Sequence, residues 1–252
     1  MHVLAVHGWQ EEDPDVAKTI ADAIGILIFE ARQKIAGGGP AVLASFADPQ
    51  RAERLAARLA SAGVPALVID SVAVRGGKQP LRARRFVFEA AALRVELPAG
   101  AICHIGYDSI DLLLVVSTGS GPVQTTFKRT ERKFSLGKTV LAGGVPMTRT
   151  VTREETVLSE DRDESIWLYS REHQTVHFDR NVLNYDGFGA AMQLTRSLNF
   201  SKLKHELQRC APQAGYDERL LKRSVQARIL GPGLNPEADL DLACEILALS
   251  LR

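Results

Sequence analysis

Residues 48–69 read DPQRAERLAARLASAGVPALVI, and this stretch contains the start and stop signals of a helix that leads into a strand. Asp48 is a typical helix N-cap, and Pro49 takes the first helical position, where a missing N–H group is tolerated. The apolar residues recur at helical spacing: Ala52, Leu55, Ala56, Leu59 and Ala62. Gly63 occupies a position that commonly ends a helix, and the apolar run 66–69 predicts a strand.

The preceding residues repeat this pattern. The apolar run 3–6 ends at Gly8 and predicts a first strand. Asp13-Pro14 predicts the start of a helix that ends at Gly25, residues 28–36 predict a short second helix, and residues 41–46 predict a strand. The order strand, helix, short helix, strand, helix, strand predicts a small α/β domain over residues 1–72. Its three strands form an open sheet with helices on one face.

This region resembles the compact fold shared by the C-terminal domain of the bacterial ribosomal stalk protein and the Clp-protease adaptor. The resemblance rests on residues 28–40, 48–63 and 64–69, where a helix carrying Glu30-Ala31-Arg32 leads into a glycine-proline turn, a strand, a long helix and a closing strand. It implies a recognition fold. The functional residues do not carry over, because stalk domains use lysines on the long helix and no acidic residue here matches the adaptor's peptide pocket.

The middle of the chain changes character after residue 72. Residues 73–81 are glycine-containing and basic and predict a linker. Residues 82–212 then contain short β-type runs without intervening helices: 85–97, 101–105, 111–117, 124–127, 148–151, 165–170 and 173–179. A helix follows, with Phe200, Leu203, Leu207 and Cys210 on one face. These residues resemble bacterial pleckstrin-homology-like (GRAM-like) domains, in which a β sandwich or barrel is closed by a helix. The predicted fold class is α+β.

Residues 213–252 are predicted to form a helical extension. One helix is predicted at residues 217–227, Gly231-Pro232-Gly233 breaks it, and Asn235 is predicted to cap a last helix. The apolar arc of that last helix is wide: Leu240, Leu242, Ala243, Ile246, Leu247 and Leu249. Such a helix either packs between the two domains or forms a homodimer surface.

No arrangement of residues in the sequence predicts catalysis, a cofactor or a metal. Gly137-Lys138-Thr139 resembles the end of a phosphate-binding loop, but Arg132 stands where that loop needs glycine. His173 and His177 lie in a β-type run, where residues four apart are too distant to share a metal. The three cysteines are far apart and odd in number, which argues against a disulfide framework.

Charge is balanced overall but unevenly distributed. The 31 basic and 30 acidic residues give a net charge of +1, which excludes a strongly basic nucleic-acid wrapper. Two basic runs stand out: Arg75, Lys78, Arg82, Arg84 and Arg85, and then Lys128, Arg129, Arg132, Lys133 and Lys138. Arg51, Arg54 and Arg58 share one face of the predicted long helix. The predicted partner-binding residues are Arg51, Arg54, Arg58, Arg84, Arg85, Lys128, Arg129, Arg132 and Lys133.

These patterns predict a cytoplasmic, two-domain bacterial protein that is not an enzyme. No apolar run reaches the roughly 18 residues that span a membrane, and the start has no export signal. The first functional hypothesis is a protein-binding or adaptor module. The second is a peripheral binder of anionic membrane or polyanion through the basic runs, without sequence-specific nucleic-acid binding, since aromatic interleaving is sparse. The third is an enzyme whose site is assembled from distant residues.

Overall fold

The structure of the protein is a computed structural model, and it describes residues 1–77, 79–119, 123–134, 148–159 and 162–252. Its contacts group the chain into two units. One unit comprises residues 1–118 and 163–252, and the other comprises residues 119–162. The second unit contains a two-stranded antiparallel hairpin.

The N-terminal residues form the predicted three-stranded sheet with helices. The elements are β1 (His2–Val6), α1 (Pro14–Ile24), α2 (Ile28–Ile35), β2 (Ala41–Phe46), α3 (Pro49–Ser61) and β3 (Ala66–Asp70). The sheet order is β2-β1-β3, and both pairs are antiparallel. The predicted caps are present: the Asp13 carboxylate accepts from the N–H of Asp15 at 2.8 Å, and that of Asp48 accepts from the N–H of Gln50 at 3.0 Å.

Both faces of this sheet are covered. Because neighbouring side chains of a strand point to opposite faces, Leu4 and Val6 pack with the helices α1–α3, while Val3 and Ala5 pack into a different core. The sequence predicts helices on one face of the sheet, and this describes only the core that Leu4 and Val6 form with α1–α3. The second face is covered by a helix at the far end of the chain, which no local pattern links to this sheet.

The remaining described residues form a five-stranded, a three-stranded and a two-stranded sheet together with four helices. The elements are α4 (Ser71–Gly76), β4 (Leu81–Arg82), β5 (Arg85–Phe88), β6 (Ala92–Glu96), β7 (Ile102–Gly106), β8 (Ile110–Gly119), β9 (Val123–Phe134), β10 (Thr148–Ser159), β11 (Arg162–Ser170), β12 (Val176–Asp179), α5 (Arg196–Cys210), β13 (Gly215–Asp217), α6 (Arg223–Leu230) and α7 (Leu240–Leu251). The sheet orders are β5-β6-β7, β13-β8-β11-β12-β4 and β10-β9. None of the described sheets closes into a barrel. The α+β class is confirmed.

One core lies between two of these sheets and α5. Phe86, Leu93 and Ile105 come from the three-stranded sheet, and Leu113 and Phe178 come from the five-stranded sheet. From α5, the core receives Phe200, Leu203 and Leu207. The helical spacing of these last three residues in the sequence therefore marks the buried face of α5.

Three predicted elements differ in the structure. The predicted strand 85–97 is a hairpin of β5 and β6. The predicted helix 217–227 contains the end of β13 and a short 3-10 turn before α6 begins at Arg223. The last helix begins at Leu240. Asn235 instead accepts from the N–H of Glu237 within a turn, because its amide oxygen finds a backbone donor two residues on.

The last helix, α7, joins the N-terminal sheet to the five-stranded sheet. Its residues Ala243, Ile246 and Leu247 are fully buried in a core shared with Val3 of β1 and Leu114 of β8. The apolar arc is thus covered within the chain, as the first of the two predicted uses requires. A homodimer through α7 stays a prediction and would have to use its exposed residues Leu249 and Leu251.

The predicted domain boundaries at 72, 82 and 212 also stay predictions, while α4 occupies much of the predicted linker.

Gly187 packs directly against β5, and we expect its replacement by alanine to destabilise the protein. A Cβ atom at residue 187 would overlap the backbone carbonyl of Phe86, so the backbone must shift. Overpacking of this kind costs roughly 1–3 kcal/mol. Urea unfolding of Gly187→Ala measures the loss. Gly233→Ala is the matched control, because its Cβ would meet open space. Equal stability of the two variants would contradict the packing described here.

Candidate functional site

The three arginines predicted to line α3 do not form one free row. The Arg58 guanidinium donates to the carbonyls of Asp22 and Ala23, at 3.1 and 3.5 Å, and so ties α3 to the C-terminal end of α1. Arg54 lies 3.9 Å from the Asp48 carboxylate, and Arg51 lies over the Phe46 ring at 5.4 Å. All three residues are exposed, but the Arg58 guanidinium is held by its hydrogen bonds to α1.

The first basic run meets acids from elsewhere in the chain. Arg75 pairs with the buried carboxylate of Asp239, and Arg85 lies 4.0 Å from Glu96. Arg84 is exposed and has no ion pair within the described part of the chain. Lys78 lies outside the described residues. Acidic residues from distant parts of the chain therefore neutralise two residues of the first basic run, although the run itself contains no acidic residue.

The second basic run lies on β9, whose pairing with β10 places further cations beside it. Arg129 is in register with Arg153, and Lys133 is in register with Arg149. The other predicted binding residues of this run, Lys128 and Arg132, occupy register positions opposite Glu154 and Thr150. Lys138 and the sequence 137–139 lie outside the described residues. The pairing therefore brings two pairs of basic residues into register.

A cleft that the sequence did not predict lies between α7, β11 and the β3–α4 segment. We call it the Trp167 cleft, and its volume is about 410 Å³. Its polar lining includes Asp70, Trp167, Tyr169, Thr175, Asp241 and Glu245. Within the described residues, Asp241 and Glu245 form no ion pair, whereas the Asp70 carboxylate accepts from the N–H of Val72 and caps α4. Two unpaired carboxylates thus lie one turn apart on α7.

Burial shifts the pKa values of groups in and beside this cleft. Burial raises the pKa of Glu245, and burial together with the neighbouring Cys244 and Glu245 raises that of Tyr169 well above its ordinary value. Next to the cleft, burial lowers the pKa of His177, whose ring meets the edge of Trp167 at 5.6 Å between ring centres. Each shift favours the neutral form of its group, as expected where water is partly excluded.

The lowered pKa of His177 predicts a loss of stability in mild acid. The unfolded chain, with a histidine pKa of about 6.5, binds this proton more readily than the folded protein does. Stability therefore falls as the pH drops from about 6.5 through the lowered pKa. We expect His177→Gln to lose less stability than the parent over this interval, measured by thermal unfolding at several pH values. His205→Gln, at an exposed site, is the control. Parallel curves for the parent and His177→Gln would contradict this prediction.

An exposed apolar surface lies at the start of α2. Leu27, Ile28 and Phe29 are 70%, 49% and 68% exposed. Phe29 is one helical turn from Gln33, which lines a groove of about 650 Å³. The groove has apolar walls of Val42, Ala227, Pro232 and Leu234, and charged groups at Glu30, Lys34 and Arg228. We call these residues together the α2 surface.

Two arginines bind the backbone carbonyls of the glycine loop after α2, which comprises residues 36–39. Arg228 donates to the carbonyls of Ala36 and Gly38, at 3.1 and 2.7 Å, and Arg219 donates to that of Gly39 at 2.7 Å. These bonds join α2 to the C-terminal residues that complete the groove. No sequence signal indicates them, because the donors lie 180 or more residues from their acceptors.

Comparisons with protein-family models, curated proteins and solved structures found no match to this chain. Within the described residues, no three His, Cys, Asp or Glu side chains come together as a metal site would require. The cysteines Cys103, Cys210 and Cys244 are free thiols. None of the described helices is both long enough and apolar enough to cross a membrane.

Proposed function

We propose that this protein is a non-catalytic binding or adaptor module that docks an apolar segment of a partner protein on the α2 surface. The observation that carries the proposal is the run of three exposed apolar side chains, Leu27, Ile28 and Phe29, beside an apolar groove. Single exposed apolar residues are ordinary, but a contiguous apolar surface with a polar rim is typical of protein interaction sites.

The groups around the α2 surface support this use. The N–H of Leu27 donates to the Glu30 carboxylate at 3.2 Å, so the first turn of α2 is held in place before a partner arrives. Arg32 pairs with Glu12 at 2.5 Å and contributes to a charged rim. A preformed surface loses less conformational entropy on binding than a mobile one. An apolar partner segment would therefore bury Leu27 and Phe29 against an ordered helix.

Two resemblances of the fold to known recognition domains support a binding function. The order β2-β1-β3 with three helices supports the resemblance to the stalk and Clp-adaptor fold. Two sheets on one core with α5 support a pleckstrin-like arrangement for the middle residues. Both are recognition folds, but the step from fold to role is an analogy. A cytoplasmic location stays a prediction.

A matched pair of variants tests the partner proposal. The tagged parent protein is used to capture partners from native lysate at low and moderate salt, and the bound proteins are identified by mass spectrometry. A partner of the α2 surface is expected to be retained at both salts and lost with Leu27→Ser/Phe29→Ser. It should be kept by the control Val182→Ser/Leu194→Ser, which removes apolar side chains that are 67% and 100% exposed elsewhere. Equal capture by the two variants would overturn the proposal.

A second candidate function is favoured by the register of the β9-β10 hairpin. Arg129 is in register with Arg153, and Lys133 with Arg149, so four basic residues occupy paired positions along a short length of ladder, with the acidic residue Glu131 between them in sequence. Such a concentration is relieved by a negatively charged partner surface. We propose anionic membrane as that surface, and polyanions are compared with it in the same assay.

A further inference from the structure

A row of polar side chains on β11 lacks hydrogen-bond partners among the residues that the structure describes. Ser165, Trp167 and Tyr169 alternate along the strand and therefore share one face. They are 2%, 9% and 5% exposed, and within the described part of the chain the Ser165 Oγ, Trp167 Nε1 and Tyr169 Oη atoms have no hydrogen-bond partner. Buried polar atoms are normally paired, so unpaired ones call for an explanation such as a ligand.

Two of these three side chains line the Trp167 cleft, directly across from acidic residues. Asp241 and Glu245 are one turn apart on α7, both are half-buried, and neither has an ion pair among the described residues. Like charges at this spacing repel each other, and burial adds a desolvation cost for the Glu245 carboxylate. A cation placed between them would remove both penalties.

The remaining walls of the cleft favour a small organic molecule over a bare metal ion. Val74, Pro80 and Leu249 line it, and its volume of about 410 Å³ exceeds what a single ion needs. The indole of Trp167 also offers a surface on which organic cations pack well. The cleft thus combines negative charge and apolar walls, and the unpaired donors of Trp167 and Tyr169 are buried in its wall.

We propose that the Trp167 cleft binds a small organic ammonium that also carries a neutral oxygen, an amino alcohol by chemical class. The ammonium donates to the carboxylates of Asp241 and Glu245. The carbon skeleton packs on Trp167 and Leu249. The oxygen accepts from the inner donors, Trp167 Nε1 or Tyr169 Oη, after a small adjustment of the cleft wall. A free carboxylate on the ligand is disfavoured, because it would face two carboxylates of the protein. The cleft and the α2 surface share no residue, so either proposal can fail alone.

The indole N–H signals of the two tryptophans give a direct test by NMR. The ¹⁵N-labelled protein is titrated with leucinol, with 3-methylbutylamine, which lacks the hydroxymethyl group, and with 4-methylpentan-1-ol, which lacks the amine. The Trp167 signal is expected to shift with leucinol, while the Trp9 signal stays constant, because the Trp9 indole donates to the Ile35 carbonyl elsewhere in the chain. Leucinol is expected to bind at least tenfold tighter than either probe. A Trp167 signal unmoved by millimolar leucinol would overturn the proposal.

Isosteric variants separate charge recognition from apolar binding. Asp241→Asn/Glu245→Gln is expected to weaken leucinol at least tenfold and to leave 4-methylpentan-1-ol unchanged. The control Glu11→Gln/Glu53→Gln removes the same charge from exposed positions and should bind leucinol as the parent does. Circular dichroism checks that both variants fold. Equal binding of leucinol by the two variants would refute the role of the α7 carboxylates, and so would equal affinity of the alcohol and leucinol for the parent.

Discussion

Replacing Leu247 with alanine is expected to lower the free energy of unfolding by roughly 2–5 kcal/mol, since truncation of a buried leucine removes apolar contacts and leaves a cavity. Leu247 is fully buried on α7, in the core shared by β1, β8 and β11. A loss of this size is a large part of the roughly 5–15 kcal/mol that stabilises most proteins. Guanidinium unfolding followed by circular dichroism measures it.

The same helix provides the control for this experiment. Leu251 is 45% exposed, so Leu251→Ala should change the free energy of unfolding by less than about 1 kcal/mol. If the Leu247 and Leu251 variants unfolded at the same denaturant concentration, α7 would not be the element that joins the two sheets. A selective loss at Leu247 would establish that the last helix stabilises the first strand.

Replacing Arg84, Arg85, Arg129 and Arg132 together with alanine is expected to abolish most binding to anionic vesicles. Each cation near an anionic surface contributes about 1 kcal/mol, so four contribute up to about 4 kcal/mol, or roughly a thousandfold in affinity. The share of Arg85 is the smallest, because Glu96 lies 4.0 Å away. Co-sedimentation with phosphatidylserine vesicles at several salt concentrations measures the loss, and heparin replaces the vesicles in a parallel series.

A second charge variant decides whether position matters. Lys18, Arg209, Lys222 and Arg223 are exposed, and their joint replacement by alanine removes the same charge from other surfaces. This control should retain vesicle binding and its steep dependence on salt. If both variants lost binding equally, net charge alone would explain it and the membrane function would be rejected. Tighter binding to heparin than to vesicles would shift the assignment from membrane to polyanion.

The N-terminal elements could be predicted because their signals are local. Asp13-Pro14 and Asp48-Pro49 start helices within the same few residues that their carboxylates cap. Asn235-Pro236 has similar chemistry but forms a turn, and Asp239 then precedes the helix. A capping residue therefore indicates the start of a helix only when the helical spacing of apolar residues begins directly after it. At residue 235 that spacing begins five residues later.

The candidate sites could not be predicted, because their residues are distant in sequence. Trp167 and Tyr169 look like ordinary apolar positions of a strand, and Asp241 and Glu245 look like the polar side of a helix. One signal was present: Ser165, Trp167 and Tyr169 place three polar atoms on a single strand face. Without the position of α7, this alternation does not reveal that the face is buried.

Local patterns of residues were enough to predict the helices and strands whose signals span a few residues: the caps, the apolar periods and the glycine stops. Which charges are neutralised, and where a cleft forms, depends on how the folded chain packs. Arg75 belongs to a run without acids, yet it pairs with Asp239, 164 residues away. The difference lies in the sequence separation of the interacting groups. A cap, or the contacts between apolar residues along a helix face, joins groups within about one helical turn. An ion pair or a cleft depends instead on which distant segments pack together, and burial of apolar surface drives that packing without regard to sequence separation.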